Sequence, residues 1–136
     1  MTLEEKKEIL LKDLSSRLPY GVKAYVKNWS KLDRKWYEGV YTVESIHPSL
    51  NDILVCSERG SVEVIVGYDD YEIKPYLFPL SSMTEEERNE YKHFVAFSGN
   101  PTGSANFIDW LNAHHFDYRG LIEKGLAYDA SFFNVY

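Results

Sequence analysis

The chain has 136 residues, of which 44% are hydrophobic and 15% aromatic, and a net charge of −6. That length suits a single domain over 1–136, and the apolar fraction suits a real core, so the composition excludes a disordered chain. No apolar run approaches the ~20 residues of a membrane-spanning helix, and the negative balance excludes a general polyanion binder.

The start, Met1-Thr2-Leu3-Glu4-Glu5, is charged and has no apolar stretch behind it, so no secretory signal is expected. Cys56 is the only cysteine and cannot form an internal disulfide. Both features point to the cytoplasm. Charge is unevenly divided: residues 1–35 carry a balance of +4 and residues 36–136 a balance of −10.

Thr2 and Glu5 match a capping box, and Leu3, Leu10, Leu11, Leu14 and Leu18 follow at helical spacing, which predicts a helix over 1–18 ended by Pro19-Tyr20-Gly21. The period then changes to two. Val22, Ala24 and Val26 fall on one face of a strand, and Lys23, Tyr25, Lys27 and Trp29 on the other. A polar loop separates it from a second strand, Trp36 to His47, rich in aromatic and β-branched residues. Turn residues follow at Pro48 to Asp52, then a third strand, Ile53 to Glu58. An Arg59-Gly60 turn and a fourth strand, Ser61 to Tyr68, come next. Tyr71 to Ile73 can pair briefly before Pro75 ends the pairing. Residues 22–77 thus read as a four- to five-stranded antiparallel meander. A small SH3-like barrel and an open sheet with helices on one face are the two architectures this leaves.

A second capping box, Thr84 and Glu87, opens a helical segment over 84–125. Tyr91, Phe94, Val95 and Phe97 supply its first core face. Ser98 to Gly103 breaks it, and a further helix runs from Ser104 to about His114 with Phe107, Ile108 and Leu111 inward. Asp117 is placed to cap a short last helix carrying Leu121 and Ile122 and ended by Gly125. The apolar tail, 126–136, either docks on the body or meets a partner. The fold class is therefore α+β.

Catalytic patterns are missing. There is no G-x-S-x-G, no Walker lysine motif and no G-x-G-x-x-G. Cys56 sits in an apolar strand and reads as buried and inert. His114 and His115 with Asp117 offer ligand chemistry, but helical neighbours i and i+1 point about 100° apart and do not share one ion. The plainer reading has one histidine capping the helix C-terminus and the other packing. No enzyme activity, metal or other cofactor is expected. Asp69-Asp70 and Glu85 to Glu87 are explained by a turn and by the first turn of a helix.

The sharpest feature is the basic-aromatic stretch from Arg17 to Trp36. If Val22, Ala24 and Val26 face the core, Lys23, Tyr25, Lys27 and Trp29 are presented together, the arrangement of a single-strand nucleic-acid platform. Long lysine stems covering aromatic edges would give the same pattern on a merely solvated strand.

Three segments also carry a resemblance. They are Leu18 to Lys23; Ile73 to Leu77 with Pro79 to Glu87; and His114 to Ala127. Together they resemble a family of small uncharacterised proteins of gut Bacteroidales bacteria and their prophages and mobile elements. The resemblance implies an intracellular, phage-associated accessory protein and no activity. It marks His114, His115, Asp117, Tyr118 and Arg119 as motif residues, while Phe78 stands where the family has a basic residue. The functional expectation is a non-catalytic interaction module that binds a protein partner. The alternative is a nucleic-acid-binding accessory protein using Lys23, Tyr25, Lys27 and Trp29.

Overall fold

The computed structural model describes residues 1–67, 69–98 and 105–136. The α+β class holds. A helix, α1 (Leu3–Arg17), leads into β1 (Lys23–Ser30), β2 (Lys35–His47), β3 (Asp52–Ser57), β4 (Gly60–Ile65) and β5 (Tyr71–Leu77). Two helices follow, α2 (Glu85–Ser98) and α3 (Ala105–Ala113), and the tail adds a short β6 (Tyr128–Asp129). Among the described residues no helix is long and apolar enough to cross a membrane.

The strands form one sheet in the order β4-β3-β2-β1-β5-β6. The first four are an antiparallel meander. β5 then crosses back to pair with β1, and β6 runs parallel to β5. No ladder joins β4 to β5, so the sheet stays open and the barrel is not formed. The expected meander is also corrected at its end. β5 continues through Pro75 to Leu77 rather than stopping at Ile73. Pro75 lies opposite Ala24, whose backbone groups turn toward β2, so its missing N–H points away from β1 and removes no ladder bond.

The two-residue β3–β4 turn is Glu58-Arg59, between the paired Ser57 and Gly60. Gly60 opens β4 at φ 122°, a conformation that suits glycine.

Alternation on β1 puts Val22, Ala24 and Val26 fully inside. They meet Leu10, Leu11 and Leu14 of α1 and Val43, Ile53, Val55 and Val64 of the neighbouring strands to form the main core. Thr2 caps α1 by accepting from the Glu5 N–H at 3.1 Å. A second core gathers Met83, Phe107, Leu111 and Phe116, with Tyr91, Phe94 and Trp110 packed against it. The Thr84–Glu87 capping box is reciprocal, at 2.8 and 3.1 Å. Ser98 still belongs to α2, while the side chains of Val95 and Phe97, the rest of the expected break at 99–103 and the Ser104 start lie outside the residues whose placement is described.

The expected fourth helix is a run of turns. Asp117 does cap it, accepting from the Leu121 and Ile122 N–H groups at 2.9 Å each. Gly120 and Gly125 both take positive φ and prevent helical continuation. The tail docks on the body. β6 pairs with Tyr76 and Leu77, and Ala127 and Ala130 are buried.

Candidate functional site

Strand parity carries Lys23, Tyr25, Lys27 and Trp29 to the outer face of the sheet, opposite the core. Their neighbours decide what that face can do. The Tyr25 hydroxyl donates to Glu38 at 2.6 Å, and its ring meets Tyr128 edge-on. Burial, then the Glu38 carboxylate, pushes the Tyr25 hydroxyl pKa up. Lys27 has Glu38 and Glu72 as its cross-strand partners on β2 and β5, and its Nζ lies 5.1 Å from the centroid of the Trp36 ring. Trp29 packs edge-on against Trp36, with centroids 5.4 Å apart. Lys35 Nζ covers Tyr37 at 4.8 Å. The four residues stand together, but acids alternate with the lysines and lysines cover ring faces.

Arg17, counted in the same basic stretch, is elsewhere. It is fully buried at the end of α1. Its Nε donates to Asp13 at 2.8 Å and one terminal nitrogen donates to the Phe116 carbonyl at 2.6 Å. Arg119 donates to the other Asp13 oxygen at 2.8 Å, to Ser16 and to the Tyr118 hydroxyl. The two guanidinium groups lie over the Tyr118 ring at 5.1 and 4.6 Å. Tyr118 donates to Asn112. One carboxylate thus serves two arginines, and Tyr118 and Arg119 act as structural members of that network.

The histidines part company. His114 Nδ1 faces Glu87 of α2 at 3.2 Å, and its ring stacks on Phe116 and meets Trp110. His115 ends α3 in a Schellman motif. It takes φ 60°, its N–H bonds to the Asn112 carbonyl, and the Phe116 N–H bonds to the Leu111 carbonyl. Its ring stacks on Tyr136 with centroids 3.8 Å apart. Burial, then Arg17 and His114, pulls its pKa down to about 4. Among the described residues, no three of the His, Cys, Asp and Glu side chains gather as a metal set.

Two features of the site were not specified by sequence reasoning. The first is how the tail docks, which the sequence left open. The Tyr136 hydroxyl accepts from the Lys23 N–H at 2.8 Å and donates to the Tyr76 carbonyl at 2.9 Å. It fills the place where Lys23 and Tyr76 would otherwise continue the β1–β5 ladder. Burial pushes its own pKa up to about 12. Tyr76, on the outer face but only 3% exposed, lies beneath Tyr128 and Phe133.

The second is the exposed end of the β1–β2 hairpin. Leu32 is 92% and Trp36 45% exposed, and Tyr37 and Val40 are also open. Alternating burial within β2 would have hidden half of these, so periodicity alone gave no signal.

Beside the hairpin the outer face is concave. A groove of about 680 Å³ is lined by Val40, Thr42 and Cys56 together with Lys23, Glu38, Glu58 and Arg59. Cys56 is therefore half-buried along the groove and not sealed in the core, because it is the cross-strand partner of outward-facing Thr42. Comparison with protein-family models, with curated proteins and with solved structures gives no match.

Proposed function

We propose that this protein is a non-catalytic interaction module that binds a protein partner through the end of the β1–β2 hairpin and the adjoining outer face. One observation carries the reading: Trp29 and Trp36 belong to neither hydrophobic core, and Trp36 stands in the open with Leu32, Tyr37 and Val40. A small domain that places two of its three tryptophans outside its cores has a use for them there, and tryptophan and tyrosine are the residues that anchor protein interfaces. Protein is favoured over nucleic acid because base stacking needs open ring faces. Here lysines lie over Trp36 and Tyr37, and Glu38 and Glu72 flank Lys27. The polar network around Asp13 gives no competing catalytic reading, since its hydrogen bonds join α1 to the 116–119 segment. The resemblance noted from the sequence implies the same accessory role.

The test is selection of binders from a displayed random-peptide library, followed by binding of the enriched pool to the Trp36→Ala variant. A loss of about 30-fold or more with an unchanged melting temperature is expected, the size of an interface hot spot. Failure to enrich any binder, or binders indifferent to Trp36, would count against the reading.

A further inference from the structure

The backbone of β2 is only half used before Thr42. The Val43 N–H bonds to the Val22 carbonyl at 3.0 Å, which sets the parity of the β1–β2 ladder. Lys35, Tyr37, Gly39 and Tyr41 therefore turn their N–H and C=O groups toward β1. Trp36, Glu38 and Val40 turn theirs the other way. β3 does not meet them, because it pairs only from Thr42↔Cys56 onward and then turns back at Glu58-Arg59. Among the described residues nothing bonds to these outward groups. An unpaired row of this kind is a template for one more strand.

We infer that this edge, Trp36 to Val40, takes an extended acidic peptide segment of a partner protein as an added strand. The inference rests on the protein-binding reading and names the partner's chemistry. Three observations choose the occupant. At about 3.3 Å per residue the edge accommodates some five residues, too few for a folded element but enough for an extended segment. The groove beside it offers Val40 and Cys56 to apolar side chains on the peptide's outer face. The charge beside it is net positive: Lys31, Arg34 and Lys35 at the hairpin tip and Lys23 and Arg59 at the groove, against Asp33 at the tip and Glu38 and Glu58 at the groove. Two of these carboxylates are held by neighbours, Glu38 by the Tyr25 hydroxyl and Asp33 by the Tyr37 hydroxyl, and Glu58 stands in sequence next to Arg59. A cationic edge selects an acidic visitor and repels the same edge, with the same cations, of a second copy. Pairing two copies about a two-fold through Glu38 would also set like carboxylates opposite each other, which is destabilising.

The experiment uses the full chain and a randomised heptapeptide library. Enriched peptides are sequenced, and amide exchange of the protein is followed by NMR with and without the strongest of them. The inference expects enrichment in Asp and Glu. It also expects exchange at Trp36, Glu38 and Val40 to slow at least tenfold, while Tyr37 and Gly39, already bonded to β1, stay unchanged. The Lys35→Glu, Arg59→Glu double variant should shift the enriched pool toward lysine. Peptides that bind through Trp36 without slowing those three amides would overturn strand addition and leave the interaction module standing. A pool with no acidic preference would overturn the partner chemistry. No enrichment at all would remove both. Displacement of the peptide by an oligothymidine at physiological salt would reassign the edge to a polyanion.

Discussion

Asp13 and Arg17 stand four residues apart on α1, a spacing that on an exposed helix contributes only a few tenths of a kcal/mol. Burial changes the stakes. Both side chains are fully enclosed, and Asp13 also holds Arg119. Removing the carboxylate leaves the enclosed Arg17 without its counter-ion, so Asp13→Ala should cost about 3–5 kcal/mol in urea denaturation. A cost below about 1 kcal/mol would mean that the network relaxes into solvent. His115 provides a second test at this scale. Its folded pKa is about 4 against an ordinary 6.5, so between those values the unfolded chain takes up a proton that the folded chain refuses. Stability contributed by neutral His115 is complete above pH 6.5 and falls as pH drops toward 4. His115→Asn keeps a residue tolerant of positive φ and should remove that part of the slope, measured as urea midpoints from pH 7 to pH 4. An unaltered slope would place the acid sensitivity elsewhere.

Among the elements, the tail decides most. Its ten or so residues supply β6, cover Tyr76 and bring Tyr136 into the splayed end of the β1–β5 pairing. Tyr136→Phe keeps the ring on His115 and deletes only the bridging hydroxyl. It leaves the Lys23 N–H and Tyr76 carbonyl unserved and should cost about 1–3 kcal/mol, with faster exchange of the Lys23 amide. Unchanged exchange at Lys23 would show that solvent replaces the hydroxyl. The capped helices and the alternation of Val22, Ala24 and Val26 were legible because capping and strand parity are local rules. The passage of β5 through Pro75 was not. Whether a proline breaks a ladder depends on the parity of the pairing it enters, and that is set by Ala24, some fifty residues away, whose backbone groups turn toward β2.

For the whole molecule, the division of charge noted in the sequence survives folding in part. The basic N-terminal third does not form one cationic face. Arg17 goes inside, Lys27 meets Glu38 and Glu72, Lys6, Lys7 and Lys12 stay on α1, and the others stand at the hairpin tip (Lys31, Arg34, Lys35) and at the groove (Lys23). Single-stranded DNA titrated by fluorescence anisotropy should therefore show no binding that persists at physiological salt. Persistent binding abolished by Lys23→Glu with Lys27→Glu would restore the nucleic-acid platform. The sequence by itself determined the α+β class, the main helices and the inward and outward faces of β1. These follow from hydrophobic period and end-capping, which act over a few residues. Tertiary structure alone decided that the sheet stays open, that Asp13 and Arg17 are enclosed, that the tail folds back and that half of β2 has a bare edge. Each depends on which distant segment arrives beside a given backbone or charge, and neither composition nor periodicity carries that information.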